Sequence, residues 1–327
     1  MEIVIFLVIG CLFGFVLFKK NAIFINDGGC EKSSKLSVII PARNEEKNLP
    51  VILSSLIKQT YQPFEIIVVD DGSVDQTQAV SESYGAKVIQ NPALPLGWTG
   101  KTWAVWNGYL ASSGELIAFL DTDIKLSPHA LESLLIERKN KSGVLSVCPF
   151  HETKEFFERF ALITNILGVF SFTSPFEKKN RKQGLYGSCI LATREDYEKV
   201  NGHSSIKGEI LDDLNLGAKF IEAGIPVNNY IGDQMVSFRM YPQGIKSELQ
   251  GFAKGAILSP SHLSLPTTVF IIIWILGLIL SSAFILFLNT TWFVPLFIGY
   301  ILYTVQILYF VKVVGYFGKL MPILHIL

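Results

Sequence analysis

Three apolar runs of strand length, each cut off by an acidic turn, constrain this chain more than any other feature. Leu36-Ser-Val-Ile-Ile40 runs into Pro41-Ala-Arg-Asn-Glu-Glu46, Glu65-Ile-Ile-Val-Val69 into Asp70-Asp-Gly-Ser73, and Glu115-Leu-Ile-Ala-Phe-Leu120 into Asp121-Thr-Asp123. Stretches with helical periodicity separate them; Leu49, Ile52, Leu53 and Leu56 share one helix face, and a helix is expected from Lys101 to about Ser112. Strands alternating with helices imply right-handed crossovers and a mostly parallel sheet with helices on both faces. All three acidic turns then fall at the carboxyl edge, where open α/β sheets bind ligands. Asp121-Thr-Asp123 alone is explained equally well by solvated loop acids, because turns favour Asp. Three such ends at one edge make a site.

Other chemistries lose support. No Gly-x-Gly-x-x-Gly follows the first strand, and Gly100-Lys-Thr102 lacks the glycine-rich loop that cradles phosphates. The formal net charge is zero with no long basic block, so nucleic acid is not the expected partner. Cys11, Cys30, Cys148 and Cys189 show no metal-ligand spacing, so neither a zinc site nor a disulfide framework is expected. The five histidines are scattered, and of these only His203, beside Gly202, could approach an acceptor.

Half of the 327 residues are hydrophobic, with the excess gathered at the two ends. Residues 3–18 are an unbroken apolar run followed by Lys19-Lys20; charge after the run and Glu2 before it point to an uncleaved anchor rather than a removed signal sequence. Residues 267–288 and 292–311 form two further apolar runs separated only by Asn289-Thr-Thr291, which predicts a transmembrane hairpin. Lys19, Lys20, Lys312 and Lys319 flank one side while the hairpin loop carries no Lys or Arg, so residues 19–266 are expected in the cytoplasm, on the plasma membrane. The expected division is an anchor (1–20), a polar linker (21–35), a catalytic domain (36–245), an interfacial segment (246–266), the hairpin (267–311) and a tail (312–327).

Four pieces in this order resemble the glycosyltransferase family 2 catalytic domain with its nucleotide-sugar-binding GT-A fold: Ile39-Ile-Pro-Ala-Arg-Asn-Glu-Glu46, Val68-Val-Asp-Asp-Gly-Ser73, Leu120-Asp-Thr-Asp123 and Leu211-Asp-Asp-Leu-Asn-Leu-Gly217. Within that family, Gly97-Trp-Thr-Gly-Lys101, Leu145-Ser-Val-Cys-Pro149 and Phe238-Arg-Met-Tyr241, together with the apolar ends, are similar to the membrane-bound carotenoid-type lipid glycosyltransferases. The resemblance implies that Pro41, Arg43, Glu45 and Asp71 line the nucleoside pocket. It further implies that Asp121 and Asp123 hold Mg²⁺ or Mn²⁺ against the diphosphate of a nucleotide-sugar donor, with UDP-glucose the expected donor. Lys101 and Arg239 would add positive charge at the phosphates; otherwise they are ordinary surface cations. Asp212-Asp213 stands where the family carries Glu-Asp, which makes Asp213 the expected general base and leaves open which of the two faces the acceptor.

A carboxylate base suits deprotonation of a hydroxyl concerted with attack. A carboxylic acid acceptor would already be ionised, so a base at Asp213 favours a hydroxyl on a carotenoid or other isoprenoid lipid. Direct displacement would invert the anomeric carbon. Residues 156–172, rich in Phe, Leu and Ile, are helical by period and either lie at the membrane face or pack on the sheet; residues 243–258 form a weaker amphipathic stretch. Two alternatives remain: a polyprenyl-phosphate sugar synthase and a non-catalytic membrane scaffold that binds nucleotide sugars.

Overall fold

The computed structural model describes residues 2–23, 35–62, 64–239, 244–245 and 262–324. They fall into two compact units, one taking Ala22–Pro149 with Arg181–Arg239 and the other Met1–Asn21, Phe150–Asn180 and Met240–Leu327. Most of the expected linker, the stretch 246–261, Cys30, Tyr241 and His325 lie outside the described residues.

The first unit is built on a sheet of seven strands. In chain order these are β1 (Leu36–Ala42), β2 (Glu65–Asp70), β3 (Lys87–Gln90), β4 (Leu116–Leu120), β6 (Val144–Cys148), β8 (Cys189–Thr193) and β9 (Val227–Ile231), arranged in space as β3-β2-β1-β4-β8-β6-β9. β1 pairs in parallel with β2 and β4, and β2 with β3; β8 alone runs antiparallel, between β4 and β6. The three expected strands are therefore the centre of the sheet, and the antiparallel β8 is an addition the sequence reading did not contain. β1 is buried along almost its whole length, as a strand covered on both faces must be. Ile39, Ile67, Val69, Ile117 and Phe119 pack on one face beneath Ala104, Val105 and Tyr109 of α4 (Gly100–Leu110).

Register sets the site. Ala42 lies opposite Asp70, and Ile39 opposite both Ile67 and Phe119, so the acidic turns emerge together. Asn44 ties two of them: in the left-handed region at φ 58°, it donates its backbone N–H to Ser73 Oγ at 2.9 Å and accepts from Val74 N at 2.9 Å through its side chain. Asp121-Thr122-Asp123 is the turn into β5 (Ile124–Leu126), which pairs antiparallel with β10 (Val236–Phe238) and sets Arg239 N 3.3 Å from the Asp123 carbonyl.

The second unit contains α1 (Glu2–Leu17), α6 (Leu162–Thr173), α9 (Leu265–Ser282) and α10 (Phe293–Val314). Two segments are long and apolar enough to cross a membrane, Leu265–Phe287 with mean hydropathy 2.8 and Phe293–Val314 with 1.8. The 16-residue α1 is shorter than the roughly 20 residues of a full span, so the expected three-helix arrangement is met at full length by two helices. α1 nevertheless packs into the group: Phe13 stacks on Phe270 at 3.9 Å and Phe18 on Phe310 at 4.2 Å. A buried polar chain links all three, Trp274 Nε1 donating to Gln306 Oε1 at 2.8 Å and Gln306 Nε2 to the Cys11 carbonyl at 2.5 Å. α6 packs on this bundle through Phe170, against Trp274 at 5.1 Å and Phe310 at 5.6 Å. Neither reading left open for residues 156–172 named the contact that is observed, α6 against the long apolar helices.

Candidate active site

The two acids at the tip of β2 divide their labour. Asp70 is spent on structure: its Oδ1 accepts from Ser73 N at 2.9 Å and its Oδ2 from Gln90 Nε2 at 3.2 Å. Asp71 points into the site, where Asn91 Nδ2 donates to its Oδ1 at 2.7 Å and the exposed Arg43 guanidinium lies 3.8 Å from its Oδ2. Pro41 is half-buried in β1 opposite Val69. Glu45 accepts from Asn48 Nδ2 at 2.7 Å and is held above the usual carboxylate range by burial, with the charges of Asp75 and Asp121 adding to it.

The centre of the site is Lys101. It lies in the first turn of α4, whose start is fixed by Thr99 capping Thr102 N at 3.3 Å. Its ammonium sits 3.2 Å from Asp121 Oδ1, 3.7 Å from Asp213 Oδ2 and 3.9 Å from Asp212 Oδ2. Burial pulls this lysine down, but the three carboxylates more than offset it and hold it well above its ordinary value. The expected pieces from β4 and from α8 (Asp212–Glu222) are thus joined through one cation.

The carboxylates around it remain only partly satisfied. Asp123 Oδ1 is closed off from solvent without a hydrogen-bond partner, and so is Asp212 Oδ2. Burial, then the charges of Asp121 and Glu45, push the Asp123 carboxyl up to about 7. Asp213 is also pushed up to about 7, first by burial and then by Asp212 and Asp121, with Lys101 opposing. Unpartnered oxygen in a group of like charges is the arrangement that a hard divalent cation relieves. Asp213 has 22% of its side chain exposed against 11% for Asp212, and is the more open of the pair.

Not every expected residue arrives. His203 is buried, bonded through Nδ1 to Tyr197 Oη at 2.8 Å and kept neutral by burial, at about 3; it serves the core. Arg239 enters beside Asp123 through its backbone. Two glycines were missed. A Cβ on Gly187 would lie 1.8 Å from Asp213 Oδ2, and one on Gly100 would lie 2.7 Å from Asp71 Oδ2, so backbone approaches each carboxylate where any side chain would displace it. The position of Gly187 two residues before a strand was the only local signal. Asn91, which orients Asp71, was missed as well.

Comparisons with known proteins bear on the family and the fold. The family model described as Glycosyl transferase family 2 matches residues 37–200. The chain is 34% identical to the 4,4'-diaponeurosporenoate glycosyltransferase of Staphylococcus aureus (strain MRSA252) over 301 residues, covering 89% of this chain and 80% of that protein. The protein of that name from strain USA300 matches at 34% over 303 residues, with 89% and 80% covered. Among solved structures, the mannosyltransferase PcManGT from Pyrobaculum calidifontis, in complex with GDP-Man and Mn²⁺, shares the fold at TM-score 0.52 and 16% identity, covering 92% of this chain and 85% of that one. With its sheet, its acidic strand tips and a relative matched along most of its length, this chain belongs to glycosyltransferase family 2.

Proposed function

We propose that this glycosyltransferase moves glucose from UDP-glucose to the hydroxyl of a carotenoid-type or other isoprenoid lipid, with inversion at the anomeric carbon. The observation that carries the reading is the Lys101 cluster, which sets a half-buried carboxylate, Asp213, across one ammonium from the Asp121-Thr-Asp123 turn. The relatives are named for diaponeurosporenoate, a carboxylate, and so support an apolar isoprenoid acceptor, while the hydroxyl rests on the carboxylate base at Asp213.

Pro41, Arg43, Glu45 and Asp71 receive the nucleoside. Asp121 and Asp123 are the residues that would hold Mg²⁺ or Mn²⁺; among the described residues no group of three or more His, Cys, Asp or Glu could hold such an ion, so its remaining ligands would come from donor phosphates and water. A divalent ion held there would neutralise the charge that develops on the departing diphosphate without a proton transfer. Lys101 and Arg239 supply fixed positive charge on the phosphate side. Asp213, with Asp212 beside it, takes the proton of the acceptor hydroxyl as the oxygen attacks the anomeric carbon and the diphosphate leaves from the opposite face.

In this reading α1, α9 and α10 all span the bilayer, with the catalytic unit on the cytoplasmic side. The test is transfer of labelled glucose from UDP-glucose to hydroxylated carotenoid by the purified full-length protein. Chelation by EDTA is expected to abolish transfer and Mg²⁺ or Mn²⁺ to restore it, with NMR of the product showing the inverted anomer. A retained anomer, or full transfer in excess EDTA, would sink the mechanism.

A further inference from the structure

The end of the helical unit where α1 stops, α9 starts and α10 stops carries a concentration of charge that the transfer reaction does not use. Lys19, Lys20, Lys178, Lys179, Lys312 and Lys319 are all exposed there, whereas the opposite end, with Glu2 and Asn289-Thr-Thr291, has no Lys or Arg. Lys178 and Lys179 are fixed at this level by their neighbours. Glu177 accepts from Ser264 Oγ at 2.7 Å, and Asn180 donates to the His262 carbonyl at 2.5 Å, both at the start of α9.

Within this ring one cation is built in rather than merely flanking. Arg159 lies beside Gly318, where an added Cβ would stand 3.0 Å from its Nη1, so the guanidinium rests on the turn after α10, next to Lys319. Its Nε is shielded from solvent and has no hydrogen-bond partner, and no carboxylate bridges it among the described residues. The nearest buried acid in sequence, Glu158, accepts instead from Lys154 N at 2.6 Å and Glu155 N at 3.0 Å. Glu152 and Glu155 are the remaining acids of the segment, the first half-buried and the second exposed. Beside it stand Phe156 and Phe160, 63% and 49% exposed and packed edge to face at 5.4 Å, with the guanidinium 5.9 Å from the Phe156 ring. Large exposed aromatics next to an unpaired arginine, at the basic end of apolar helices, match the chemistry of a bilayer interface: rings among the acyl boundary, cations at the phosphates.

We propose that Arg159, with Lys312 and Lys319, forms a binding site for the phosphate of an anionic phospholipid, with Phe156 and Phe160 inserted beside it. The planar guanidinium receives the phosphate through paired N–H donors, and the lysines add charge. The site rests on reading the three helices as membrane spans, and its failure is separable from theirs.

The experiment is native mass spectrometry of the full-length protein in detergent with phosphatidylglycerol or phosphatidylcholine added at equal concentration. Wild type is expected to retain phosphatidylglycerol preferentially. Arg159→Gln should lower that preference about fivefold, and Lys312→Gln with Lys319→Gln by a similar factor for each charge removed. Arg159→Lys should fall between, since it keeps the charge and loses the fork. The lysine pair is exposed, so it carries the test if Arg159→Gln does not fold. Equal retention of the two lipids by wild type, an unchanged preference in the folded variants, or displacement of phosphatidylglycerol by millimolar inorganic phosphate overturns the site. Release of the protein from membranes by alkaline carbonate overturns the spans instead.

Discussion

Two buried polar sites, one in each unit, are treated in opposite ways. In the helical unit, Gln306 satisfies both ends of its amide, accepting from Trp274 and donating to the Cys11 carbonyl, and the result is a fixed register among three apolar helices. In the catalytic unit, Asp123 and Asp212 each leave an oxygen unpartnered, and three carboxylates share one ammonium. A satisfied polar group specifies structure. An unsatisfied one costs stability, and such groups persist where they do chemistry. The contrast predicts that a substitution at Gln306 lowers stability and leaves turnover alone, while one in the Lys101 cluster lowers turnover and leaves the fold intact.

The sharpest test is Asp213→Asn, expected to cut transfer to a hydroxyl acceptor by about 10²–10⁴-fold while the variant stays folded. Two pH signatures accompany it. Burial raises the Asp213 carboxyl to about 7, so the base is protonated below that value and wild-type turnover should rise with pH through this range. A raised carboxyl also means that its ionisation works against the folded state. Wild-type stability should therefore fall as pH climbs from the ordinary carboxylate range to about 7, and the Asn variant should lose that share of the decline, read by thermal midpoints across pH. An acceptor carboxylate would show no need for the base, and unchanged turnover with such a substrate would move the acceptor assignment while leaving the donor site intact.

Gly187→Ala comes next. The added methyl would overlap Asp213 Oδ2, so the carboxylate must move; turnover is expected to fall about 100-fold with donor KM nearly constant, measured by steady-state kinetics. A fall in donor affinity with kcat preserved would show instead that Gly187 serves the nucleotide. The smallest effect belongs to the other unit. Gln306→Leu should cost about 1 kcal/mol of stability in detergent and leave kcat within error, since interhelical hydrogen bonds in bundles contribute modestly. Loss of activity in a stable Gln306→Leu protein would break the contrast.

Much of the catalytic unit was legible because its signals are local. A run such as Leu36–Ala42 announces a strand covered on both faces, and the turn that ends it announces the carboxyl edge. The antiparallel β8 was not legible: Cys189–Thr193 has the composition of any buried strand, and its direction depends on which neighbours it meets. Gly187 and Asn91 were invisible for a related reason, since each matters only through a partner distant in the chain, Asp213 for one and Asp71 for the other.

The sequence by itself determined the strand–helix alternation, the acidic tips, the apolar ends and the family, because hydrophobic periodicity and turn chemistry are properties of neighbouring residues. Only the tertiary structure decided how the charges are shared. Lys101 and Asp213 are separated by more than a hundred residues, yet stand 3.7 Å apart. Neither carries a mark of that pairing, because Coulomb interactions depend on distance in space, which the packing of α4 and α8 creates.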